Sequence, residues 1–296
     1  MFYYHPSYSA LALPERHRFP IDKYRLLKQL VSSFIDEQYF ITPQQATKAQ
    51  LTLCHNPAYV DAFLAGSLDS KAIKKMGFPW STELVKRTLY SVGASIQGAE
   101  FALQQGAAFN LSGGYHHAFT GYGSGFCIFN DLAIAAAYLI DTEQADTVLI
   151  FDCDVHQGDG TAEVTQLHPQ IISCSIHCQQ NFPRIKQQSN YDFALEHGTS
   201  DAEYLETVKQ ALALTIRLHQ PDIILYNAGA DIATDDELGH FQVSLEGVYQ
   251  RDYFVLNQAK KAKIPVFAAM GGGYQRNVSR LVDVHGQLFR AAVDLF

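Results

Sequence analysis

The chain has 296 residues, 47% of them hydrophobic, and a formal net charge of -8, so it can bury a large core and is poorly suited to sequence-independent binding of nucleic acid phosphates. No stretch approaches about eighteen uninterrupted apolar residues, and the opening MFYYHPSYSA lacks a basic region followed by an apolar core, so neither membrane spanning nor secretion is expected. Five cysteines, none in a C-x-x-C pair, read as reduced thiols and fit a cytoplasmic protein.

In chain order, Phe2 to Tyr4 reads as a short strand, and an amphipathic helix begins near Ile21. Thr42-Pro43 and Asn56-Pro57 each place a capping side chain before a proline suited to the first helical position, which predicts two helix starts. Residues 66–81, with Gly66, Gly77 and Pro79, read as a loop, after which Ser81 caps a long helix from Thr82 to about Gln105. From there strands and helices alternate. Strands are expected at Ala107 to Leu111, Thr147 to Phe151, Ile171 to Ile176, Tyr191 to Ala194, Asp222 to Tyr226 and Ile264 to Ala269. Helices are expected at Asp131 to Ile140, Thr161 to Leu167, Asp201 to His219, Leu245 to Lys261 and Arg276 to Phe296, with Ser200 and Glu203 forming a capping box. The alternation predicts an α/β fold, a mostly parallel central sheet with helices on both faces. No linker or repeat interrupts it, so residues 1–296 read as one domain.

The run VLIFDCDVHQGDG, Val148 to Gly160, is apolar on both faces, as a buried parallel strand should be, and ends abruptly in Asp152, Asp154 and His156. Alternate residues of an extended chain share a face, so these three side chains converge if the backbone stays extended. Oxygen and nitrogen donors without a thiolate suit a catalytic zinc or a similar divalent metal. Competing readings are weaker. A calcium loop is excluded by His156 and Gln157 at its fifth and sixth positions. The Asp-x-Asp after a strand also resembles the haloacid dehalogenase phosphatases, with Asp152 as phosphoryl acceptor, and that alternative stays open. So does the bland one, polar residues where a strand meets solvent.

Three further strands end in unusual residues: His116 and His117 after the first core strand, Asp231 after the strand ending near Asn227, and Tyr274 after the last. In a parallel sheet these ends share the edge where ligands bind in open α/β folds. Asp231 can complete an Asp-His-Asp metal shell with Asp154 and His156. His116 and His117 are candidates for general base and acid, with Asp152 and Asp159 available to orient them. Tyr274 can donate to the oxyanion of a tetrahedral intermediate, and Gly271, Gly272 and Gly273 permit close approach. Taken singly, each has an ordinary explanation: a buried and an exposed histidine, a helix-capping Asp231, a packing Tyr274. GYGSGF lacks the Walker lysine, and no G-x-S-x-G elbow is present.

Together and in this order, GGYHHAF with SGFCIFND, FDCDVHQGDG, AGAD and MGGGY resemble the zinc-dependent histone deacetylase family, within the arginase/deacetylase fold, over roughly Phe2 to Phe296. The resemblance implies zinc held by Asp154, His156 and Asp231, a His116-Asp152 pair, a His117-Asp159 pair, and Tyr274 polarising the scissile carbonyl. It further implies that Phe126 and Phe182 wall an acyl-lysine channel, that Gly125, Gly272 and Gly273 leave room for substrate, and that a structural potassium (K+) lies near Asp152, Asp154, His156 and Ser175. A gatekeeping arginine is expected at Arg16 or Arg18. HRFPIDKY, NAGADI and GGYQRN look like the class IV branch and its bacterial relatives, while Gln157 stands where many members have a second histidine.

The expected function is therefore removal of acetyl or longer acyl groups from lysine side-chain amines by metal-activated water. Alternatives are an acetylpolyamine or other small-amide deacetylase, a phosphatase, and a non-catalytic acyl-ligand binding protein. With 30 acidic against 22 basic side chains, and no basic cluster near the four site stretches, the pocket mouth is expected to be neutral or negative.

Overall fold

Strands with apolar residues on both faces need cover on both faces, and the fold supplies it. In a computed structural model that describes residues 1–296, eight strands form one wholly parallel sheet. They are β1 (Phe2–Tyr3), β2 (Phe40–Ile41), β3 (Ala107–Asn110), β4 (Val148–Asp152), β5 (Ile171–Cys178), β6 (Tyr191–Leu195), β7 (Ile223–Asn227) and β8 (Val266–Ala269), in the order β2-β1-β3-β8-β7-β4-β5-β6. Every residue of β3, β4, β5, β7 and β8 is buried, whereas the edge strand β6 alternates between half-buried and exposed.

The helices are α1 (Lys23–Val31), α2 (Lys48–Leu51), α3 (Pro57–Ala65), α4 (Ser70–Met76), α5 (Thr82–Gln105), α6 (Asp131–Asp141), α7 (Asp159–Thr165), α8 (Asp201–His219), α9 (Leu245–Ala262) and α10 (Val278–Leu295). Helices α5, α6 and α7 pack together against β3, β8, β4 and β5, while α8, α9, α10 and α1 form a second packed series that meets β5 and β8. No helix is long and apolar enough to cross a membrane.

The sequence pattern misplaces several local features, each for a physical reason. No helix starts at Thr42-Pro43. That segment lies extended along α5, where Ala46 N donates to Leu89 O (2.9 Å) and Gln97 pairs with the backbone of Gln44. Gly93 makes this approach possible, since a Cβ there would fall 1.9 Å from Gln44 O. The helix begins instead after Thr47, in a reciprocal capping box with Gln50. The expected loop at 66–81 contains α4, capped by the Asp69 side chain and closed by Gly77 in the left-handed region (φ 88°). The two-residue β2 is too short to leave a periodic signal. Ser200 makes no side-chain cap; the adjacent Asp201 carboxylate instead accepts from Ser244 N and Oγ, tying the start of α8 to the start of α9. Asn56, by contrast, caps α3 as expected, and α5 and α8 have the anticipated bounds.

Candidate metal centre and active site

The chain leaves β4 with Cys153 N donating to Asn227 O (3.0 Å) and does not stay extended: it bends at residues 154–156, where Asp154 N donates to Asp152 Oδ1 and His156 N to Asp154 Oδ1 (3.0 Å each), and this gathers Asp154 and His156 at the carboxyl edge of the sheet. His156 Nδ1 lies 3.0 Å from Asp154 Oδ1 and 3.1 Å from Asp231 Oδ2, and one ligand atom from each residue falls within 4.8 Å of the others. All three residues are buried. The carboxylates are also fixed by backbone: Asp231 Oδ1 accepts from Val155 N (3.0 Å) and Asp154 Oδ2 from Gly272 N (2.9 Å).

Two buried carboxylates this close need positive charge. Burial, then the neighbouring Asp154, pushes Asp231 up to about 7. Against the cost of burial, hydrogen bonds with Asp154 and Asp231 push His156 up to about 10. An open-sided set of one nitrogen and two carboxylate donors, all aimed at one point, fits a divalent cation of the zinc type.

The two histidines reach this edge from the loop after β3. Gly113 and Gly114 turn with φ of 89° and 83°, and the amides of Gly114 and Tyr115 donate to the Asp131 carboxylate at the start of α6, itself held by Ser95 Oγ (2.6 Å). His116 Nδ1 then lies 2.7 Å from Asp152 Oδ2, and His117 Nδ1 2.6 Å from Asp159 Oδ1. Asp152 Oδ1 accepts from Asn227 Nδ2 (2.9 Å) and Asp154 N (3.0 Å), so neither of its oxygens is left free to act as a phosphoryl acceptor.

The imidazole rings are 4.1 Å apart, yet their proton affinities diverge. In spite of burial, Asp152 and Asp154 push His116 up to about 9. Burial, and then His116 itself, pushes His117 down to about 4. The two rings thus differ in proton affinity, with different work open to each.

Tyr274 follows β8 through Gly271, Gly272 and Gly273. A Cβ on Gly272 would lie 2.4 Å from Asp231 Oδ2 and 2.5 Å from Asp154 Oδ2, so the glycine there lets backbone close over the carboxylates. The peptide group joining Gly273 to Tyr274 is gripped at both ends: Lys23 Nζ donates to its carbonyl (3.2 Å) and its N–H donates to Asp236 Oδ2 (2.6 Å). Burial, then Asp154 and Asp231, holds the Tyr274 phenol well above its usual range, which keeps it a hydrogen-bond donor.

A mouth cavity of about 270 Å³ is lined by His117, His156, Tyr274, Gly125, Phe126 and Phe182, among others. Gly125 and Phe126 both have positive φ (53° and 66°), and a Cβ on Gly125 would fall 2.7 Å from His117 Cδ2. The residues expected as a loop position Phe126: its N–H donates to Met76 O (3.0 Å) at the end of α4. Phe182 is 45% exposed and sets its ring edge-on to His117 at 4.8 Å. Deeper in, behind Tyr274 and His116, lies a cavity of about 20 Å³ lined also by Phe19, Lys23, Tyr115 and Gly272, roughly the room of one water. Gly273 lines neither cavity and packs toward Leu281 and His285.

One expectation needs correction. Arg16 and Arg18 are both exposed, Arg18 facing Glu237 at 3.9 Å. The buried cations around the site are Lys23, Arg87, bonded to Tyr8 O and Tyr24 Oη, and Arg251, which donates to Gly229 O (2.6 Å) and Cys153 O (3.3 Å). At the mouth, Lys186 donates to the carbonyl of the lining residue Asn181, and Arg18 and Arg276 flank Glu237 beside the lining residue Leu238. Residues with no signal in the pattern include Asp131, Asn227, Asp236 and Lys23. Each is a single polar residue at the start or end of an element, or in a loop, and only the fold shows what it touches.

The domain family described as the histone deacetylase domain matches residues 17–288. An uncharacterized protein of Picosynechococcus sp. is 43% identical over 295 residues, 99% of this chain and 98% of that one. The acetoin utilization protein AcuC of Staphylococcus aureus is 31% identical over 90% of this chain and 75% of its own length, and histone deacetylase 2 of Arabidopsis thaliana 28% identical over 94% and 76%. Among solved structures, an HDAC homologue complexed with SAHA superposes with a TM-score of 0.84 at 24% identity, covering 97% of this chain and 82% of that one. At that identity it speaks for the fold alone.

Proposed function

The chain belongs to the histone deacetylase family, and from that premise we propose that it is a zinc-dependent amidohydrolase that removes acyl groups, acetyl first among them, from the side-chain amine of lysine. The observation that carries this reading is the buried Asp154, His156 and Asp231 set with two carboxylate-paired histidines and Tyr274 around it. We read residues 1–296 as one catalytic domain, and the five free, buried cysteines as suited to a reducing cytoplasm.

Zinc on Asp154, His156 and Asp231 would supply Lewis acidity and make water acidic enough to attack near neutral pH. The protein's own residues do the rest. His117 donates Nδ1–H to Asp159, which leaves its Nε2 lone pair to accept the proton of the attacking water and return it to the departing amine. His116, cationic beside Asp152, stabilises negative charge that develops next to it. Tyr274 donates to the oxygen of the acyl carbonyl as it becomes an oxyanion. Phe126 and Phe182 flank the aliphatic stem of the substrate, and the inner cavity, with room for about one water, suits an acetyl methyl better than a long chain. A potassium at Asp152, Asp154, His156 and Ser175 draws little support from side chains: His116, Asn227 and the Asp154 amide take up the Asp152 oxygens, and Ser175 Oγ pairs with His177.

The test is to assay zinc-loaded and metal-stripped protein in parallel on acetyl-lysine peptides, longer acyl-lysine peptides and acetylated polyamines. Acetate release from the lysine peptide that needs the metal is expected. Turnover by protein holding no metal would overturn the mechanism, a clear polyamine preference the choice of carrier, and tight binding with no product from fully loaded protein the enzymatic reading itself.

A further inference from the structure

Gln157 directly follows His156 and is 1% exposed. Its side-chain amide is committed to the segment between β5 and β6. Nε2 donates to Gln187 O and to Asp192 Oδ1, each at 2.8 Å, and Oε1 accepts from Gln187 N, also at 2.8 Å. One side-chain amide therefore pairs with both backbone groups of Gln187, as a neighbouring strand would.

No backbone-to-backbone hydrogen bond reaches residues 182–190. What holds that stretch is side chains. At its start Asn181 Nδ2 donates to Leu238 O (2.7 Å), Asn181 Oδ1 accepts from Phe182 N (2.7 Å), and Lys186 Nζ donates to Asn181 O (2.6 Å) and Pro183 O (2.8 Å). At its end Ser189 N donates to Asp192 Oδ2 (2.8 Å). Gln157 supplies the anchor between, and Phe182, with its ring at 4.8 Å from that of His117, is carried on the anchored stretch.

We propose that Gln157 is a positioning residue that sets the width of the substrate channel by holding the 182–190 segment, and with it Phe182, against His117. The inference rests on reading that channel as the path of the acyl-lysine stem. A histidine at this position presents one donor and one acceptor on a rigid ring, and cannot pair with both the N–H and the C=O of Gln187 while also donating to Asp192. The amide thus builds a wall that the other side chain cannot. Gln157 touches no reacting atom, so its loss should appear in substrate binding rather than in the chemical step.

The experiment uses the metal-loaded full chain and three variants, with amide hydrogen exchange of residues 182–190 read beside kinetics on an acetyl-lysine peptide. Gln157→Glu keeps the shape and the acceptor for Gln187 N but sets a carboxylate against Gln187 O and Asp192. It should raise KM about tenfold, the usual worth of a lost buried hydrogen bond, speed exchange in the segment, and leave metal content and kcat near wild type. Adding Asp192→Asn gives that carboxylate a donor again while an oxygen remains for Ser189 N, so KM and exchange should both move back. Gln157→Met removes the pairing without adding charge and serves if Gln157→Glu does not fold; made in a Phe182→Ala background, it should cost little further in KM. Unchanged exchange and KM would overturn the proposal, as would a fall in kcat at constant KM or a double variant that recovers nothing. Should wild-type protein not hydrolyse acyl-lysine at all, the hydrolase reading falls, and the exchange of 182–190 still decides whether Gln157 holds the wall.

Discussion

Lys23 and Asp236 hold the two ends of a single peptide group, the one that carries Tyr274 into the site. Both are buried, and the cation also lies 5.6 Å from the centre of the Tyr274 ring. Asp236→Asn should turn an amide donor toward the Tyr274 N–H, and Lys23→Met should release the Gly273 carbonyl. Each is expected to lower kcat about tenfold or more with KM and metal content little changed, because only the placement of the oxyanion donor is disturbed. Steady-state kinetics with metal analysis checks this; a KM effect at constant kcat would assign the pair to substrate binding instead.

Tyr274→Phe should fold normally and retain zinc but lose about 2–4 kcal/mol of transition-state stabilisation, the usual cost of deleting one oxyanion donor. The loss belongs in kcat. A variant with wild-type kcat would leave Tyr274 a packing residue against Phe126 and Phe19.

Asp154→Ala and Asp231→Ala should each lose metal and activity together, since either removes one of three converging donors. His117→Ala should keep the metal and lose turnover. Metal content measured alongside rate distinguishes the two classes, and an inactive His117→Ala protein that is also metal-free would contradict its assignment to proton transfer.

His55 offers a prediction about stability. Its ring bridges Phe119 O (2.9 Å) and the Asn130 amide (2.9 Å), which requires Nδ1 protonated and Nε2 bare. Burial pushes it down to about 4. The unfolded chain, with an ordinary histidine, takes up this proton first as pH falls, so stability is whole above about 6.5 and is lost between there and about 4, by roughly 3 kcal/mol at most. Urea unfolding across pH 4 to 7 should show that slope, reduced in His55→Gln. An identical slope in both proteins would remove His55 from the account.

Much of this was legible in the chain, and the reasons differ by residue. Asp152, Asp154 and His156 announce themselves because an apolar run such as VLIFD has no local use for charge at its end, but the bend at 154–156, which sends Asp152 to His116 and the other two to Asp231, leaves no mark in the alternation. The long helices show in capping residues, as with Ser81 and Asn56. Lys23 could not be read as buried, since a lysine at a helix start is ordinarily solvated, and besides the nearby Phe19 and Tyr24 its cover includes Tyr274 and the Gly273 carbonyl from the far end of the chain. The extended path after Thr42 was hidden for a similar reason: Gln97 and Leu89 of α5, not the local pattern, decide it.

Asn227 deserves a final inference about how this site can change. Its amide nitrogen holds Asp152, while its Oδ1 lies where a Cβ on Gly114 would come to 2.3 Å and one on Gly271 to 2.7 Å. Loops from β3, β4 and β8 therefore close on one side chain of β7, like stones on a keystone. Lengthening any one of them would spread the other two. Diversification toward a new acyl amine is thus channelled to the 182–190 segment and to α4, the parts of the rim that the keystone does not lock.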